Sequence, residues 1–257
     1  MPFTLAHAAA ALPLRKAGLV WSALVIGTFA PDFEYFLRLA PDDGYGHTLP
    51  GTFLLTLPVA VGVLWLFHTV VKVPAVELLP VGIRNRFPND IDEFRFGGAS
   101  RFAMIVISIL VGVSTHLGWD SFTHPNTWIY RHWAALHAPV EIPVLGATPV
   151  YKLFQHGSTA FGIGVLSIWL LVWYWKNQPH PEAPASGVSR RQRSVVTVGI
   201  ISVAFVGAAI RASVALGFPT SHLAQKRFVG LWVTTLIALL WWQLLLYGAW
   251  RKRVQRN

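Results

Sequence analysis

The sequence contains no cysteine among its 257 residues. This absence excludes disulfide bonds, thiolate metal sites and cysteine nucleophiles, so any metal site must use His, Asp and Glu. Charge is also scarce, since only 12% of the residues are charged, whereas average soluble chains carry about 25%. Because 54% of the chain is hydrophobic, we predict an integral membrane protein rather than a soluble enzyme.

Six hydrophobic runs are long enough, or nearly long enough, to cross a bilayer, which takes about 20 residues. We predict an all-α, polytopic membrane helix bundle with about six transmembrane segments, forming a single integral membrane domain over residues 1–257. Residues 3–30 either cross once or form a hairpin of two short helices with a polar turn at Arg15 and Lys16. The runs are residues 17–30, 52–71, 102–122, 159–175, 195–217 and 229–249.

The net charge of +10 has a simpler explanation than nucleic-acid binding. The regions outside the predicted spans lie alternately on the two sides of the membrane. Those on one side carry 15 Lys and Arg residues and those on the other carry 5, and the positive-inside rule places the richer side in the cytoplasm. We therefore expect the lipid bilayer as a partner, no nucleic acid, and a multi-pass protein of the cell membrane. The polar residues discussed next then lie on the extracytoplasmic side.

Two residues that can bind metal, His116 and Asp120, lie four positions apart at the end of an apolar run. Residues i and i+4 share one face of a helix. His124 is the next step on that face, and Pro125 marks the expected helix end. Ionisable side chains in a membrane span are costly to bury and usually have a function, although His116 and Asp120 could simply pair with each other.

Further polar residues fall in the same layer of the predicted topology. Asp32 could instead cap a helix, and His7 could be an ordinary core histidine. Arg211 could extend its side chain to the interface, or contact an anion together with Lys152. The expected metal ligands are His7, Asp32, His47, His116 and Asp120, and the residues expected to add a ligand or to orient one are Glu34, His124 and His156.

This residue set predicts zinc, as one or two ions, or another divalent metal. Zinc accepts His nitrogen and Asp oxygen in four-coordinate sites, and a catalytic site keeps one position for water, which the metal acidifies. Two ions that share an aspartate can also contact the attacking and leaving oxygens of a phosphoester.

Five segments carry a resemblance to a known family: PFTLAH (2–7), APDFEYF (30–36), HTLPG (47–51), HLGWDSFTHP (116–125) and YKLFQHGS (151–158). Together they resemble a bacterial polytopic membrane family that is catalogued only as a domain of unknown function.

The order His, Pro-Asp, His, His-x-x-x-Asp is also similar to two hydrolase groups. They are the inner-membrane metal-dependent hydrolases of the LexA-regulated type and the zinc-dependent phospholipases C. The resemblance implies that His7 is an early zinc ligand and that Asp120 bridges two ions. The later His-x-x-x-Glu ligand pair of the phospholipases has no counterpart here, so one or two ions are expected rather than three. The ligands implied around the central zinc are Asp32, His47, His116 and Asp120.

These observations predict a membrane-embedded metal-dependent hydrolase, with a lipid or envelope phosphoester as substrate and its site at the extracytoplasmic side. Two alternatives remain open. One is a membrane transporter or ion pathway, in which ionisable residues line the route. The other is a non-catalytic metal- or haem-binding membrane protein.

Overall fold

A computed structural model describes residues 3–41, 44–87, 94–125, 127–143, 146–180 and 188–256. Pro2, from the first of the resembling segments, lies outside the described residues. The described part is almost entirely helical, which confirms the all-α prediction. Its helices are α1 (Trp21–Gly27), α2 (Phe33–Arg38), α3 (Leu49–Leu78), α4 (Val81–Arg84), α5 (Ala99–Thr123), α6 (Trp128–His132), α7 (Val150–Lys176), α8 (Arg190–Leu216) and α9 (His222–Arg256).

Short elements complete the described chain. A 3-10 helix, Thr4–Lys16, precedes α1, and α3 contains two π-helical stretches. A two-stranded antiparallel sheet pairs β1 (Pro139–Ile142) with β2 (Gly146–Pro149). The other 3-10 helices are Ala30–Asp32, Tyr45–His47 and Ala134–Leu136.

Five segments within the described residues are long and apolar enough to cross a membrane, which supports a multi-pass membrane protein. The prediction of about six spans included the short N-terminal run, and this run is the one that does not qualify by length. The five segments are Leu49–Leu78, Ala99–His132, Val150–Lys176, Arg190–Leu216 and His222–Val254.

The N-terminal segment forms the hairpin that was one of the two predicted alternatives. The 3-10 helix Thr4–Lys16 and the seven-residue α1 run in sequence, with Gly18 in a positive-φ conformation between them (φ 75°). At the far ends of the hairpin, the Thr4 hydroxyl donates a 2.6 Å hydrogen bond to the Asp32 carboxylate. The chain therefore returns to its starting level instead of crossing once.

The described residues form two compact units that alternate along the sequence. Unit 1 is Met1–Asp32, Tyr45–Val61 and Phe96–Trp175, and it holds the hairpin, α5 and α7. Unit 2 is Phe33–Gly44, Gly62–Arg95 and Lys176–Asn257, and it holds α8 and α9.

Unit 2 is held together by helix packing and by one well-directed ion pair. The Arg251 guanidinium donates to both carboxylate oxygens of Glu77, at 3.0–3.3 Å. Gln243 of α9 donates to the Ile200 carbonyl of α8 at 3.2 Å. Bidentate pairing of this kind fixes direction as well as distance, so it sets how α9 lies against the end of α3.

In unit 1, α1 and α5 approach each other at two glycines. A Cβ atom on Gly27 would collide with the Ile109 carbonyl, and one on Gly112 would collide with the Leu24 carbonyl. Small residues at such crossings allow helix backbones to touch within a membrane. The Val20 backbone N–H also donates to Ser108 Oγ at 2.9 Å. The hairpin is thus fixed along the buried face of α5.

We expect Gly112→Leu to separate α1 from α5, because the new side chain has no space. Overpacking of this kind costs about 1–3 kcal/mol, which corresponds to a fall of about 2–12 °C in the thermal midpoint of a chain this size. The measurement is thermal unfolding of the purified protein in detergent. The matched control on the same helix is Gly118→Leu, since a Cβ there meets nothing within 4 Å. Equal midpoints for the two variants would contradict this account of the crossing.

Candidate metal centre

Six predicted site residues from separate segments meet in unit 1. The hairpin supplies His7 and Asp32, the segment before α3 supplies His47, and the end of α5 supplies the other three. Asp32, His116 and Asp120 are 1%, 0% and 6% exposed. The residues brought together are His7, Asp32, His47, His116, Asp120 and His124.

His116 and Asp120 lie on the buried face of α5, as their i, i+4 spacing predicted. The His116 Nδ1 atom is 2.8 Å from the Thr28 carbonyl of the hairpin. A carbonyl only accepts hydrogen bonds, so Nδ1 carries the proton and Nε2 presents its lone pair to the cluster. Such a contact on the second ring nitrogen fixes the tautomer and orientation of metal-binding histidines.

Asp32 is held by Thr4 from the start of the hairpin. The Thr4 hydroxyl occupies Asp32 Oδ2 at 2.6 Å, which leaves Oδ1 directed at the imidazoles. Oδ1 lies 3.4 Å from His47 Nε2 and 3.6 Å from His116 Nε2.

His47 is positioned by the turn that leads into α3. The Thr48 hydroxyl accepts from the Gly51 N–H at 3.0 Å and donates to the Tyr45 carbonyl at 2.8 Å. From within α3, Thr56 donates to the Gly46 carbonyl at 3.0 Å. These bonds on both sides of His47 fix its backbone, because Thr48 caps the helix start and Thr56 anchors the preceding residue.

Four nitrogen–oxygen separations in the cluster are close to those between neighbouring ligands of a tetrahedral site. His116 Nε2 lies 3.2 Å from Asp120 Oδ2, and His47 Nε2 lies 3.8 Å from the same oxygen. With Asp32 Oδ1 included, the measured separations run from 3.2 to 3.8 Å. Bonds of about 2.0–2.1 Å to a tetrahedral zinc ion put neighbouring ligand atoms about 3.3–3.4 Å apart. The geometry therefore fits one divalent ion; we call these four atoms group A.

The other carboxylate oxygen of Asp120 faces a different pair of imidazoles. Asp120 Oδ1 lies 3.4 Å from His7 Nε2 and 3.3 Å from His124 Nδ1. We call these three atoms group B. Asp120 thus directs one oxygen toward each set of imidazoles. Among the described residues, the sets whose ligand atoms all lie within 4.8 Å of one another are His7, His116 and Asp120, and Asp32, His47 and His116.

The charge balance of the cluster favours a cation. The rings of His7 and His116 stack with centroids 3.9 Å apart, a contact that two protonated imidazoles would oppose. His7 lies outside the five candidate spans, and burial, with the neighbouring His116 as a lesser cause, lowers the pKa of His7 to about 4. His7 is then neutral, which is the form that binds metal. The stacked pair can therefore offer Asp32 and Asp120 at most one positive charge, and a bound cation would supply the rest of the compensation.

Several inward-facing atoms of the cluster make no hydrogen bond. Among the described residues, Asp32 Oδ1, Asp120 Oδ1 and His116 Nε2 are buried and lack one, although nitrogens and oxygens approach within 3.2–3.6 Å. Leaving such atoms unsatisfied costs about 1–3 kcal/mol each, and more for charged groups. Nitrogen and oxygen atoms that approach this closely without a well-directed hydrogen bond have a spacing that is compatible with a shared ion.

The remaining predicted site residues lie elsewhere. Lys152 and His156 belong to the first turns of α7, which begins nine residues before the predicted span 159–175, and His156 is exposed. Glu34 and Arg211 belong to unit 2, where Glu34 pairs with Arg38 at 2.6 Å and Arg211 donates to Thr235 at 3.1 Å. Neither ligand group includes these four residues, and their roles stay predictions.

Three residues of the centre were not predicted from the sequence. Thr4 and the Thr28 carbonyl each hold one ligand in place, and Trp119 packs edge-on against His7, with centroids 6.0 Å apart. A lone threonine or a backbone carbonyl gives no spacing signal. Trp119 did carry a sequence signal, because it directly precedes Asp120 within the motif of α5.

Comparison with known proteins shows the family but no activity. A family model described as a domain of unknown function (DUF4184) matches residues 1–249, and the chain belongs to this family. No curated protein and no solved structure gave a significant match. The resemblance to a family of unknown function is therefore confirmed, while the more remote similarity to hydrolases stays a prediction.

Proposed function

We propose that the protein is a membrane-embedded metal-dependent hydrolase whose centre is the His and Asp cluster of unit 1. The observation that carries the proposal is the spacing of group A, where atoms from three segments far apart in sequence stand 3.2–3.8 Å apart. Helix packing alone does not require four ligand atoms to converge with their lone pairs directed inward.

The ligand chemistry favours zinc. Two imidazoles and two carboxylates in a four-coordinate arrangement suit Zn²⁺, whereas Mg²⁺ and Ca²⁺ prefer six or more oxygen ligands. The chain has no cysteine, so the soft-ligand sites of copper(I) and iron–sulfur clusters are excluded.

Groups A and B differ in how many ligands the protein supplies. Group A offers at most four ligand atoms, the number typical of a closed structural zinc site, while group B offers at most three, the number typical of a catalytic one. We infer that group A stabilises the junction between the hairpin, His47 and α5. We assign the hydrolytic reaction to group B, which contains His7 and His124.

Bound divalent ions would supply Lewis acidity and an acidified water, which suits hydrolysis of a phosphoester. The side chains of this chain provide orientation. Asp120 would contribute one oxygen to each group, the Thr28 carbonyl orients His116, and Thr123 Oγ1 lies 3.2 Å from His124 Nδ1 of group B. In the reaction water adds its oxygen to phosphorus, the bond to the leaving oxygen breaks, and that oxygen takes up a proton.

The charge pattern of the loops supports an extracytoplasmic location. The regions between spans that are rich in Lys and Arg belong to the cytoplasm by the positive-inside rule. The hairpin ends, His47 and the end of α5 alternate with those regions along the chain. An envelope phosphoester is accordingly the substrate class that we propose.

We expect the purified protein to contain about one to two zinc ions per chain by elemental analysis. Asp120→Asn should remove most of the metal, because Asp120 serves both groups, and His116→Gln should empty group A. The control is His132→Gln, an exposed histidine of unit 1, which should keep the wild-type content. A metal content that is unchanged in Asp120→Asn would overturn the centre, and a Soret absorption band would indicate haem instead.

One further variant distinguishes the roles of the two groups. His124→Gln should keep the group A ion but lower the hydrolysis of bis(4-nitrophenyl) phosphate by at least about 100-fold, since group B loses one of three ligands. Chelation should abolish this activity and added zinc should restore it. Wild-type protein that is fully loaded with zinc yet inactive on this ester and on phospholipids would support a non-catalytic metal site.

Thr4→Val should weaken metal binding without removing a ligand. The variant deletes the 2.6 Å hydrogen bond that orients Asp32, and loss of such orienting contacts typically costs about 10–100-fold in metal affinity. Competition with a fluorescent zinc chelator measures the change. Thr4→Ser, which keeps the hydroxyl, is the matched control and should retain wild-type affinity. Equal zinc affinities for Thr4→Val and the wild type would show that this contact does not position Asp32.

A further inference from the structure

An apolar groove of about 510 Å³ runs along the surface of unit 1 beside the metal centre. Its aromatic walls are Trp119 and Phe122 of α5 and Phe154 and Phe161 of α7. Its volume lies within the range of about 300–1,000 Å³ that is typical of small-molecule sites.

The groove is open because small residues line it. A Cβ atom added to Gly118 of α5 or to Gly157 of α7 would meet no heavy atom within 4 Å. Leucine at either position would extend into free space rather than into packed structure. The two glycines therefore keep the groove free without serving the fold.

One end of the groove reaches the metal centre. Trp119 lines the groove and also packs edge-on against His7, with centroids 6.0 Å apart. Thr123 lines it too, and its hydroxyl lies 3.2 Å from His124 Nδ1. His7 and His124 are the histidines of group B, so the groove ends at the group that we assign to the reaction.

The groove is formed by helices that have the length and composition of membrane spans. Helices α5 and α7 both belong to segments that are long and apolar enough to span a bilayer. Phe122, Phe154 and Phe161 are 39%, 44% and 63% exposed, and within a span such exposed aromatic rings face acyl chains. A ligand that fills this groove must be apolar along its length and carry its polar group at one end.

We propose that the groove binds an acyl chain of a membrane lipid and places the lipid's phosphoester headgroup at group B. The proposal that an acyl chain binds here rests on the groove alone. The assignment of the lipid phosphoester as substrate rests on the proposed function. Among envelope phosphoesters, the substrate class is then a lipid rather than a water-soluble ester.

Binding is tested on metal-free protein, so that hydrolysis plays no part. Detergent-solubilised protein is mixed with an equimolar phosphatidylglycerol that carries a photoreactive diazirine in the middle of one acyl chain. Peptides are mapped after illumination. We expect labelling in residues 151–161, reduced at least about fivefold in Gly157→Leu and in Gly118→Leu, which fill the groove.

The matched control is Gly164→Leu. Gly164 lies on α7, is not part of the groove lining, and also leaves a Cβ free of contacts within 4 Å, so its labelling should equal that of the wild type. Equal labelling in all four proteins would show ordinary contact with lipid and would overturn the groove as a binding site.

Zinc-loaded protein then separates the two proposals. The ratio of phosphatidylglycerol hydrolysis to bis(4-nitrophenyl) phosphate hydrolysis should fall at least about tenfold in Gly157→Leu. A ratio that stays constant while both esters are cleaved would overturn the lipid assignment and leave the hydrolase standing. Groove-specific labelling without cleavage of either ester would overturn the hydrolase and leave the acyl-chain site standing.

Discussion

The structure of unit 1 depends on the burial of two carboxylates, Asp32 and Asp120, within a mostly apolar chain. Removing a carboxylate from water is costly unless an opposite charge or several hydrogen bonds replace the lost hydration. Here the neighbours are imidazoles, and the stacked pair of His7 and His116 opposes protonation of both rings. A divalent cation meets the requirement directly, since it offsets both charges and accepts the lone pairs that face inward.

The rest of the unit holds this cluster in place. Gly27 and Gly112 allow the backbones of α1 and α5 to touch, and this contact brings the Thr28 carbonyl to His116. Thr4 closes the hairpin on Asp32 in the same way. Asp32 and His116 are thus each held by a contact from a distant part of the chain, so their geometry persists only while those parts remain packed. Rigid support of this kind is what a metal-binding or reacting site needs.

The groove and the centre fit together as parts of one site. A polar cluster lies under the hairpin, and an apolar groove with exposed aromatic rings begins at Trp119 and Thr123 next to it. The proposed lipid substrate would use both features, with its acyl chain in the groove and its headgroup at the centre. The same proposal would account for the glycines at positions 118 and 157, where an added Cβ meets no heavy atom within 4 Å.

Much of this architecture could be predicted from the sequence, because hydropathy and helical spacing are local signals. They yielded the helical membrane class, five of the spans and the shared face of His116 and Asp120, and the motif order suggested the wider ligand set. Only the tertiary structure decided that residues 3–30 form a hairpin, that Lys152 and His156 belong to α7, and that Thr4 and Thr28 orient ligands. The hairpin and the orienting contacts join residues 28 and 88 positions apart, and such contacts leave no periodic trace in the sequence.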